Sequence, residues 1–428
     1  MIVAKQEMGS LLGAARSVLG AEWHQDELVR GRIYAAGRCW TKQRARLRRA
    51  QGRSRRMQRR LAYVALATVS GRIVACLLSS HRRKEKLTFL QLEERALSLN
   101  GHVGVEEPIT AFRKKGEKRI LMEFGPKRAA LQWMLKEVLL ALMPVAQSEY
   151  AAKGKGRDAA VGRLRDELNQ DDHREVVFAD VKGCFPSITI ETVCSLLPIP
   201  RSAVKGIVFI EGKEVINVGN GLSLTTVVNK ALREGLPQGS FLSPLVASYV
   251  MASMLDHLPC PGQAMTYVDD IAVRAASKGE GKAIKLALHS GASAHFPGPT
   301  SFKRLDVVRF AATSRKAHYL GYQLRVGETG QIRITPTAKA IRKFFAKMAV
   351  RLRTTKQGQM HEVAEQMADS FRSSQALWDF NDDAAGLFEL QVHEAVLCEK
   401  ARRSTVHQVK KWKSGTQPYG LKALLALM

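Results

Sequence analysis

The sequence predicts an α+β fold in which helices at both ends of the chain flank a small antiparallel sheet. Helical periodicity dominates residues 1–40 and the chain from 338 onward. Short apolar runs bounded by turn residues occupy 175–334, as expected for strands of a half-buried sheet. The chain has 428 residues, of which 45% are hydrophobic, so it can fill two or three packed subdomains.

The composition favours nucleic acid as the partner. The formal net charge is +28, from 67 Lys and Arg against 39 Asp and Glu, and a bound polyanion would offset that self-repulsion. An anionic membrane surface is the alternative, but no apolar run is long enough to span a bilayer, and Arg16 interrupts the apolar N-terminus that a signal peptide needs. The six cysteines form no Cys-x-x-Cys pair, so we expect reduced cytosolic thiols without a zinc site or disulfide framework.

The first quarter of the chain carries a dense basic run. Residues 42–60 contain ten Lys and Arg and no acid, and a second basic cluster occupies 81–86. Such a run is either a solvated helix face or a phosphate-binding surface. We interpret residues 1–95 as a basic helical extension that clasps RNA or DNA.

The rest of the chain alternates between the two periodicities. The predicted elements are a strand at 120–122, helices at about 127–145 and up to Leu168, a strand at 175–181, a hairpin at 207–217, a helix at 245–255, a hairpin around 267–270, one helix within 278–300, strands at 318–324 and 332–334, and an amphipathic helix at 338–353.

Three acids are candidates for the chemistry. Asp180 ends one predicted strand, and Asp269 and Asp270 lie at the tip of a predicted hairpin. The tetrapeptide Tyr267-Val268-Asp269-Asp270 alone is more simply a solvated turn. If the strands lie side by side in one antiparallel sheet, the three carboxylates meet at one edge and can hold two hard divalent cations. That arrangement suits in-line phosphoryl transfer.

Four sequence blocks follow one another in the chain. They are Phe178-Ala179-Asp180-Val181 with Phe185, then Leu236-Pro237-Gln238-Gly239-Ser240-Phe241-Leu242-Ser243-Pro244, then Tyr267-Val268-Asp269-Asp270, and last Tyr319-Leu320-Gly321-Tyr322. In this order they resemble the motifs of reverse transcriptases, in particular the prokaryotic retroelement enzymes of the group II intron, retron, diversity-generating and phage-defence types. The blocks span about 180–322, and weaker similarity reaches back through 112–170.

The resemblance implies a role for each matching residue. The implied catalytic residues are Asp180, Asp269 and Asp270; the implied metal site is Asp180, Val181, Asp269 and Asp270; the implied nucleotide-binding residues are Lys118, Arg119, Val181, Phe185, Gln238 and Gly239; and the implied primer and template residues are Tyr267, Val268, Leu320 and Gly321. Asp180 and Asp269 would bind two Mg²⁺ ions, for which Mn²⁺ can substitute, with Asp270 supporting the site electrostatically. Phe185 would exclude a 2′-hydroxyl and so select deoxynucleotides.

Plainer interpretations of three of these positions stay open. Phe185 could be an ordinary core side chain, Gln238-Gly239 could be the turn that begins a helix, and Leu320-Gly321 could belong to a core strand.

The sequence departs from the individual subfamilies. The lysine that protonates the leaving pyrophosphate has one candidate, Lys303, in an irregular region. The Asn-Ala-x-x-His and Val-Thr-Gly signatures of retron enzymes are absent, and both Gln-Gly and Ser-Pro are kept, unlike in diversity-generating enzymes. About 90 residues follow the last strand, which fits a thumb but not an intron-type DNA-binding and endonuclease tail. By elimination we expect a stand-alone or antiviral-defence enzyme with its own structured RNA.

The resemblance therefore implies a right-hand polymerase that extends a primer 3′-hydroxyl with dNTPs on an RNA template. The expected domains are a basic N-terminal extension (1–95), fingers (96–174), a palm (175–335, with a fingers insertion near 190–235) and a helical thumb (336–428). The expected partners are a cognate non-coding RNA, the DNA product and dNTPs, with no membrane, in a prokaryotic cytoplasm; a homo-oligomer is compatible. The alternatives are an untemplated or protein-primed DNA polymerase and a non-catalytic RNA-binding scaffold.

Overall fold

The computed structural model divides the protein into two compact units. The first comprises residues 1–153 with 177–307, and the second comprises 154–176 with 308–428. The structure describes residues 2–113, 120–152, 154–170, 173–209, 215–217, 235–277, 279–296, 302–311, 316–327, 329–375, 377 and 383–413.

Helices and strands alternate through most of the chain. The helices are α1 (Ile2–Leu19), α2 (Ala21–Gln25), α3 (Glu27–Arg48), α4 (Arg55–Ala67), α5 (Val69–Arg82), α6 (Phe89–Leu97), α7 (Pro126–Leu142), α8 (Arg157–Gln170), α9 (Cys184–Ser187), α10 (Ile190–Leu196), α11 (Arg201–Ala203), α12 (Ser243–Leu255), α13 (Glu280–His295), α14 (Ala338–Thr354), α15 (Met360–Ser374) and α16 (Asp383–Lys413). The strands are β1 (Ile109–Arg113), β2 (Ile120–Phe124), β3 (Glu175–Val181), β4 (Val215–Asn217), β5 (Ala264–Tyr267), β6 (Asp270–Ala275), β7 (Phe302–Arg309), β8 (Ala317–Tyr319), β9 (Tyr322–Val326) and β10 (Ile332–Pro336).

Polar side chains begin several of these helices. Asp26 accepts hydrogen bonds from the Leu28 and Val29 amides at the start of α3, and Thr88 and Gln91 form a reciprocal capping box at α6. Each cap satisfies backbone amides that the first helical turn leaves without a partner.

The N-terminal helices share one hydrophobic core with α7. α5 packs against both α3 and α7. Leu66, Leu77 and Leu92 are fully buried, as is Leu135 of α7, and all four belong to the same cluster. The predicted basic extension is therefore part of the same compact unit as the catalytic candidates. Among the described residues no single helix is long and apolar enough to cross a membrane, and only α4 with α5 qualify together, as a pair bent by 68°.

A four-stranded sheet in the first unit has the strand order β5-β6-β3-β7. β5 and β6 are antiparallel, with Tyr267 paired to Asp270 and Ala264 paired to Val273. The end of β3, which contains Asp180, lies next to the start of β6 at Asp270. Acids that are far apart in sequence therefore meet at one end of these two neighbouring strands.

A smaller sheet has the order β2-β1-β4, and here one prediction was wrong. β1 and β2 form an antiparallel hairpin, in which β2 contains the strand predicted at 120–122, and β4 pairs in parallel with β1. Residues Val204–Val208 form a π-helical turn, where the sequence predicts the first strand of a hairpin over 207–217. A short apolar run such as Ile207-Val208 fits either state by periodicity, and packing decided it. The expected turn at 211–213 lies outside the described residues.

The second unit contains a three-stranded sheet of order β10-β9-β8 and four helices, α8 and α14 to α16. Its helical core is built on buried Phe344, Met348 and Leu352 of α14, the helix predicted to be amphipathic. The stretch predicted as one strand at 318–324 is a hairpin, because Leu320 (φ 49°) and Gly321 (φ 86°) reverse the chain between β8 and β9.

Candidate active site

One cavity in the first unit gathers most of the predicted site residues. Its volume is about 650 Å³, and its lining includes Asp180, Val181, Phe185, Gln238, Gly239, Asp269, Asp270 and Lys303. Three of the predicted pairs are not part of this lining. Tyr267 ends β5, and Val268 follows it in the turn before β6. Leu320 and Gly321 belong to the second unit, and Lys118 and Arg119 lie outside the described residues.

A strained two-residue turn presents the two adjacent acids. Tyr267 and Asp270 close the β5–β6 hairpin, so Asp269 lies in the turn and Asp270 begins β6. Val268, the other turn residue, has a φ of 61°, which costs a β-branched residue on the order of 1–3 kcal/mol. Such strain persists only where the surroundings fix the backbone.

Glu149 supplies part of that fixation. Its side chain is 2% exposed, and its carboxylate accepts hydrogen bonds from the amides of Ala151 (2.6 Å) and Val268 (3.4 Å) and from the Thr266 hydroxyl (3.4 Å). Backbone hydrogen bonds between Ser148, Tyr150 and Thr266 hold the segment along the free edge of β5. Sequence reasoning missed Glu149, because nothing in its local pattern marks it.

The three carboxylates repel one another. Burial, together with the charges of Asp269 and Asp180, raises the pKa of Asp270 to about 6, against the opposing charges of Lys303 and Arg304. The Lys303 ammonium donates a hydrogen bond to Asp180 Oδ2 at 2.8 Å, which raises the lysine pKa. Beneath them, burial and the same acids raise the pKa of Cys184, so its thiol stays protonated.

The donor set suits a hard divalent cation, but the acids are not yet arranged around one. Carboxylate oxygens are the ligands that Mg²⁺ prefers, and the accumulated negative charge would be offset by such an ion. Within the described ranges no group of three His, Cys, Asp or Glu side chains converges at metal-binding distance. In this arrangement Lys303 is the charged partner of Asp180.

The backbone of Phe185 is held by the loop at residues 235–236, which is remote in sequence. Its ring is half-buried against the main core and also lines the cavity. The Leu236 amide donates to the Phe185 carbonyl at 2.8 Å, and a Cβ on Gly235 would lie 2.3 Å from that same oxygen. Phe185 is therefore both a packing residue and a wall of the cavity.

The Gln238-Gly239 loop is docked onto the β1–β2 hairpin. The Met122 amide donates to the Gln238 carbonyl at 2.7 Å. Gly239 has a φ of 107°, and a Cβ there would lie 2.2 Å from the Met122 carbonyl oxygen. Only glycine allows the two backbones to approach this closely. The loop therefore does more than begin a helix, because it also contacts the backbone of β2.

Replacing Gly239 by alanine is expected to separate this loop from β2. The clash and the left-handed φ should together lower the free energy of unfolding by about 2–4 kcal/mol, or displace the loop and reduce nucleotide incorporation at unchanged stability. Thermal unfolding and primer extension distinguish the two. Gly31→Ala is the control, because Gly31 is exposed in α3 with open space at its Cβ and should gain about 0.5–1 kcal/mol.

Glu149→Gln is expected to loosen the turn that carries Asp269. The amide keeps one acceptor but loses the charge that strengthens three hydrogen bonds, at a cost of about 1–3 kcal/mol. We expect kcat to fall roughly 10-fold with a smaller change in KM, since each 1.4 kcal/mol is a factor of ten. The exposed Glu106→Gln serves as the matched control. A lower Tm with unchanged kcat would mean that Glu149 is only structural.

The basic run at 42–60 divides into structural and exposed side chains. Arg44 lies 3.0 Å from both Glu7 and Glu137, and Arg48 and Arg55 also bind protein groups. The exposed members with no ion-pair partner among the described residues are Lys42, Arg46, Arg49, Arg53, Arg56, Arg59 and Arg60. The predicted phosphate-binding surface is therefore reduced to these seven cations.

One family model spans the residues that line this cavity. Residues 113–324 match the family model described as reverse transcriptase (RNA-dependent DNA polymerase). No curated protein matches the chain. Among solved structures, the chain is similar to telomerase from Candida albicans in complex with the TWJ fragment of telomeric RNA, with 12% sequence identity and a TM-score of 0.32 over 62% of this chain. The match spans 50% of that telomerase chain.

Proposed function

We propose that this chain, whose residues 113–324 match the reverse transcriptase family model, is an RNA-directed DNA polymerase, a nucleotidyltransferase, and that the cavity where β3 ends beside the start of β6 is its catalytic centre. A primer 3′-oxygen attacks the α-phosphorus of a dNTP, the bond from that phosphorus to the bridging oxygen breaks, and pyrophosphate leaves. The observation that carries the proposal is the meeting of Asp180, Asp269 and Asp270 with Phe185 and the Gln238-Gly239 loop around one cavity.

Reverse transcriptase domains generally use divalent metal ions, and the acids of this chain fit them by donor type and charge. We propose that Asp180 and Asp269 bind two Mg²⁺ ions, with the Val181 backbone beside them and Asp270 lending negative charge. Mn²⁺ would substitute. When bound, the ions lower the pKa of the primer hydroxyl and stabilise the charge on the leaving oxygen.

Lys303 is placed to act on the leaving group. Its ammonium carries a proton in the cavity, held by Asp180 Oδ2 at 2.8 Å, and the side chain is otherwise largely exposed. We propose that it donates this proton to the departing pyrophosphate, as the lysine of the resembling enzymes does. The irregular sequence around it gave little indication of this position.

The remaining residues would hold the substrates. Phe185 would lie under the deoxyribose, and Gln238 and Gly239 would contact the nascent base pair. The proposed primer contacts are Tyr267, Val268, Leu320 and Gly321, and the proposed triphosphate contacts are Lys118 and Arg119. The two cations would neutralise phosphate charge, with bidentate geometry available to the arginine.

The biological setting we propose follows from the charge and the domain type. The seven exposed cations of the N-terminal helices and the net charge of +28 favour a structured RNA as the stable partner. We propose a cognate non-coding RNA, a role in antiviral defence, and the cytoplasm of a prokaryote, where RNA and dNTPs are at hand. A homo-oligomer is compatible with this proposal.

Primer extension tests the proposed function. Purified protein with Mg²⁺ and dNTPs should extend a DNA primer annealed to RNA, and omitting the template should abolish the product. Product without template, or label that stays on the protein after denaturation, would favour untemplated or protein-primed synthesis instead. RNA binding by folded protein with no incorporation under any of these conditions would favour a non-catalytic scaffold.

A further inference from the structure

A second cavity adjoins the active-site cavity and shares Leu121 and Gly239 with it. Its volume is about 500 Å³, within the range of roughly 300–1,000 Å³ usual for small-ligand sites. Its lining comes from α5, the β1–β2 hairpin, α7 and the loop after Gly239, all within the first unit. None of the roles proposed so far uses it.

A buried amide without partners lines this cavity. Gln132 is 0% exposed, and both its Oε1 and its Nε2 lack a hydrogen-bond partner among the described residues. Exchanging the amide oxygen and nitrogen would not help, because both atoms are unpaired. Its helical neighbours Leu131 and Leu135 are apolar and fully buried, so an amide is costly at this position. A ligand that both donates and accepts hydrogen bonds would remove that cost.

The other lining groups suit a planar ring attached to a phosphate. Phe241 and Phe112 are half-buried, and the Arg82 guanidinium lies 5.6 Å from the centre of the Phe241 ring. Arg83 is held by a hydrogen bond from its guanidinium to the Phe124 carbonyl at 2.8 Å. Aromatic faces stack on nucleobases, and arginines bind phosphate.

The charged side chains around this cavity indicate which end of such a ligand would enter it. Arg82 and Arg83 are exposed, whereas Glu123 also lines the cavity and would repel a phosphate. Burial and then repulsion by Arg82 lower the pKa of Lys136, one helical turn after Gln132, against the opposing charge of Glu137. This arrangement favours an uncharged base inside and its phosphate at the arginines.

We propose that this cavity binds one unpaired nucleobase of the nucleic acid strand that passes the active site. The Gln132 amide hydrogen-bonds the base edge, Phe241 stacks on its face, and Arg82 contacts its phosphate. The hydrogen bond from Met122 to Gln238 joins the two cavities through one loop, so an occupied base pocket would also steady Gly239 beside the reacting pair. The identity of the strand rests on the proposed function.

The test uses the full chain and a primed RNA template without dNTPs. 2-Aminopurine is placed at each unpaired template position in turn, and its fluorescence reports stacking. We expect one position to be quenched on binding. Phe241→Ala should abolish that quenching and weaken binding about 5–100-fold, and Gln132→Met should weaken it about 5–10-fold. Gln6→Met, at an exposed position of α1, is the control and should change neither.

Thermal unfolding of the unliganded protein shows whether the Gln132 amide serves a ligand or stabilises the fold. Gln132→Met keeps the side-chain length and removes two unpaired polar atoms, so it should raise the Tm by about 1–3 °C while weakening binding. A lower Tm, or no position that responds to Phe241→Ala, would overturn the proposal. Displacement by adenosine monophosphate with no quenched template position would overturn it too, because the pocket would then serve a free nucleotide. An inactive protein that still shows the quenching would refute the proposed function alone.

Discussion

Asp269→Asn is expected to lower the rate of DNA synthesis by at least about 10³-fold while leaving RNA affinity within about two-fold. The substitution keeps the size of the side chain but removes the negative charge proposed to bind a cation, and removal of a central catalytic group typically costs several powers of ten. RNA affinity should survive, because the exposed cations proposed to bind phosphate lie on the N-terminal helices. Primer extension and filter binding with the same RNA give the two measurements.

Asp306→Asn is the matched control for this prediction. Asp306 lies on β7 of the same sheet, 3.1 Å from Arg304, and does not line the cavity. Its loss should change the rate by less than a factor of two. If Asp269→Asn, or Asp269→Ala combined with Asp270→Ala, retained biological function, the non-catalytic scaffold would be the better hypothesis.

Phe185→Ala is expected to admit ribonucleotides. The ring lines the cavity beside Asp180 and Val181, and its backbone is fixed by Gly235 and Leu236, so it cannot easily move away from a 2′-hydroxyl. Removing that wall should lower the preference for dNTP over NTP, measured as the ratio of kcat/KM values, by about 10–200-fold. Parallel extension with dCTP and CTP on one template measures this ratio.

Phe185→Tyr keeps the ring and should keep the preference for dNTPs. Because Phe185 also packs against the main core, the alanine variant should have a lower Tm, and the ratio must be measured below that temperature. Equal loss of activity with both nucleotides would mean that Phe185 is a core residue without a selecting role.

Much of the fold could be predicted because local sequence patterns specify the individual helices and strands. The amphipathic helix at 338–353, the helix within 278–300 and the β5–β6 hairpin each have a period, cap or turn of their own. The failures came from short apolar segments. The apolar run 207–208 is too short to show a period, and packing favours a π-helical turn there. In 318–324 the left-handed backbone of Leu320 and Gly321 reverses the chain into a hairpin.

By itself the sequence predicted which acids and which loop would carry the chemistry, since Asp180, Asp269-Asp270 and Gln238-Gly239 form ordered blocks of distinctive residue types. Tertiary structure alone decided what surrounds them. Lys303 meets Asp180 across 123 residues and Glu149 meets Val268 across 119, and no local period records such contacts. The same holds for the amide of Gln132, which has no hydrogen-bond partner among the described residues and in sequence is one of several polar residues in its helix. A hydrogen bond depends on the distance between atoms in space, and only the packed chain sets that distance.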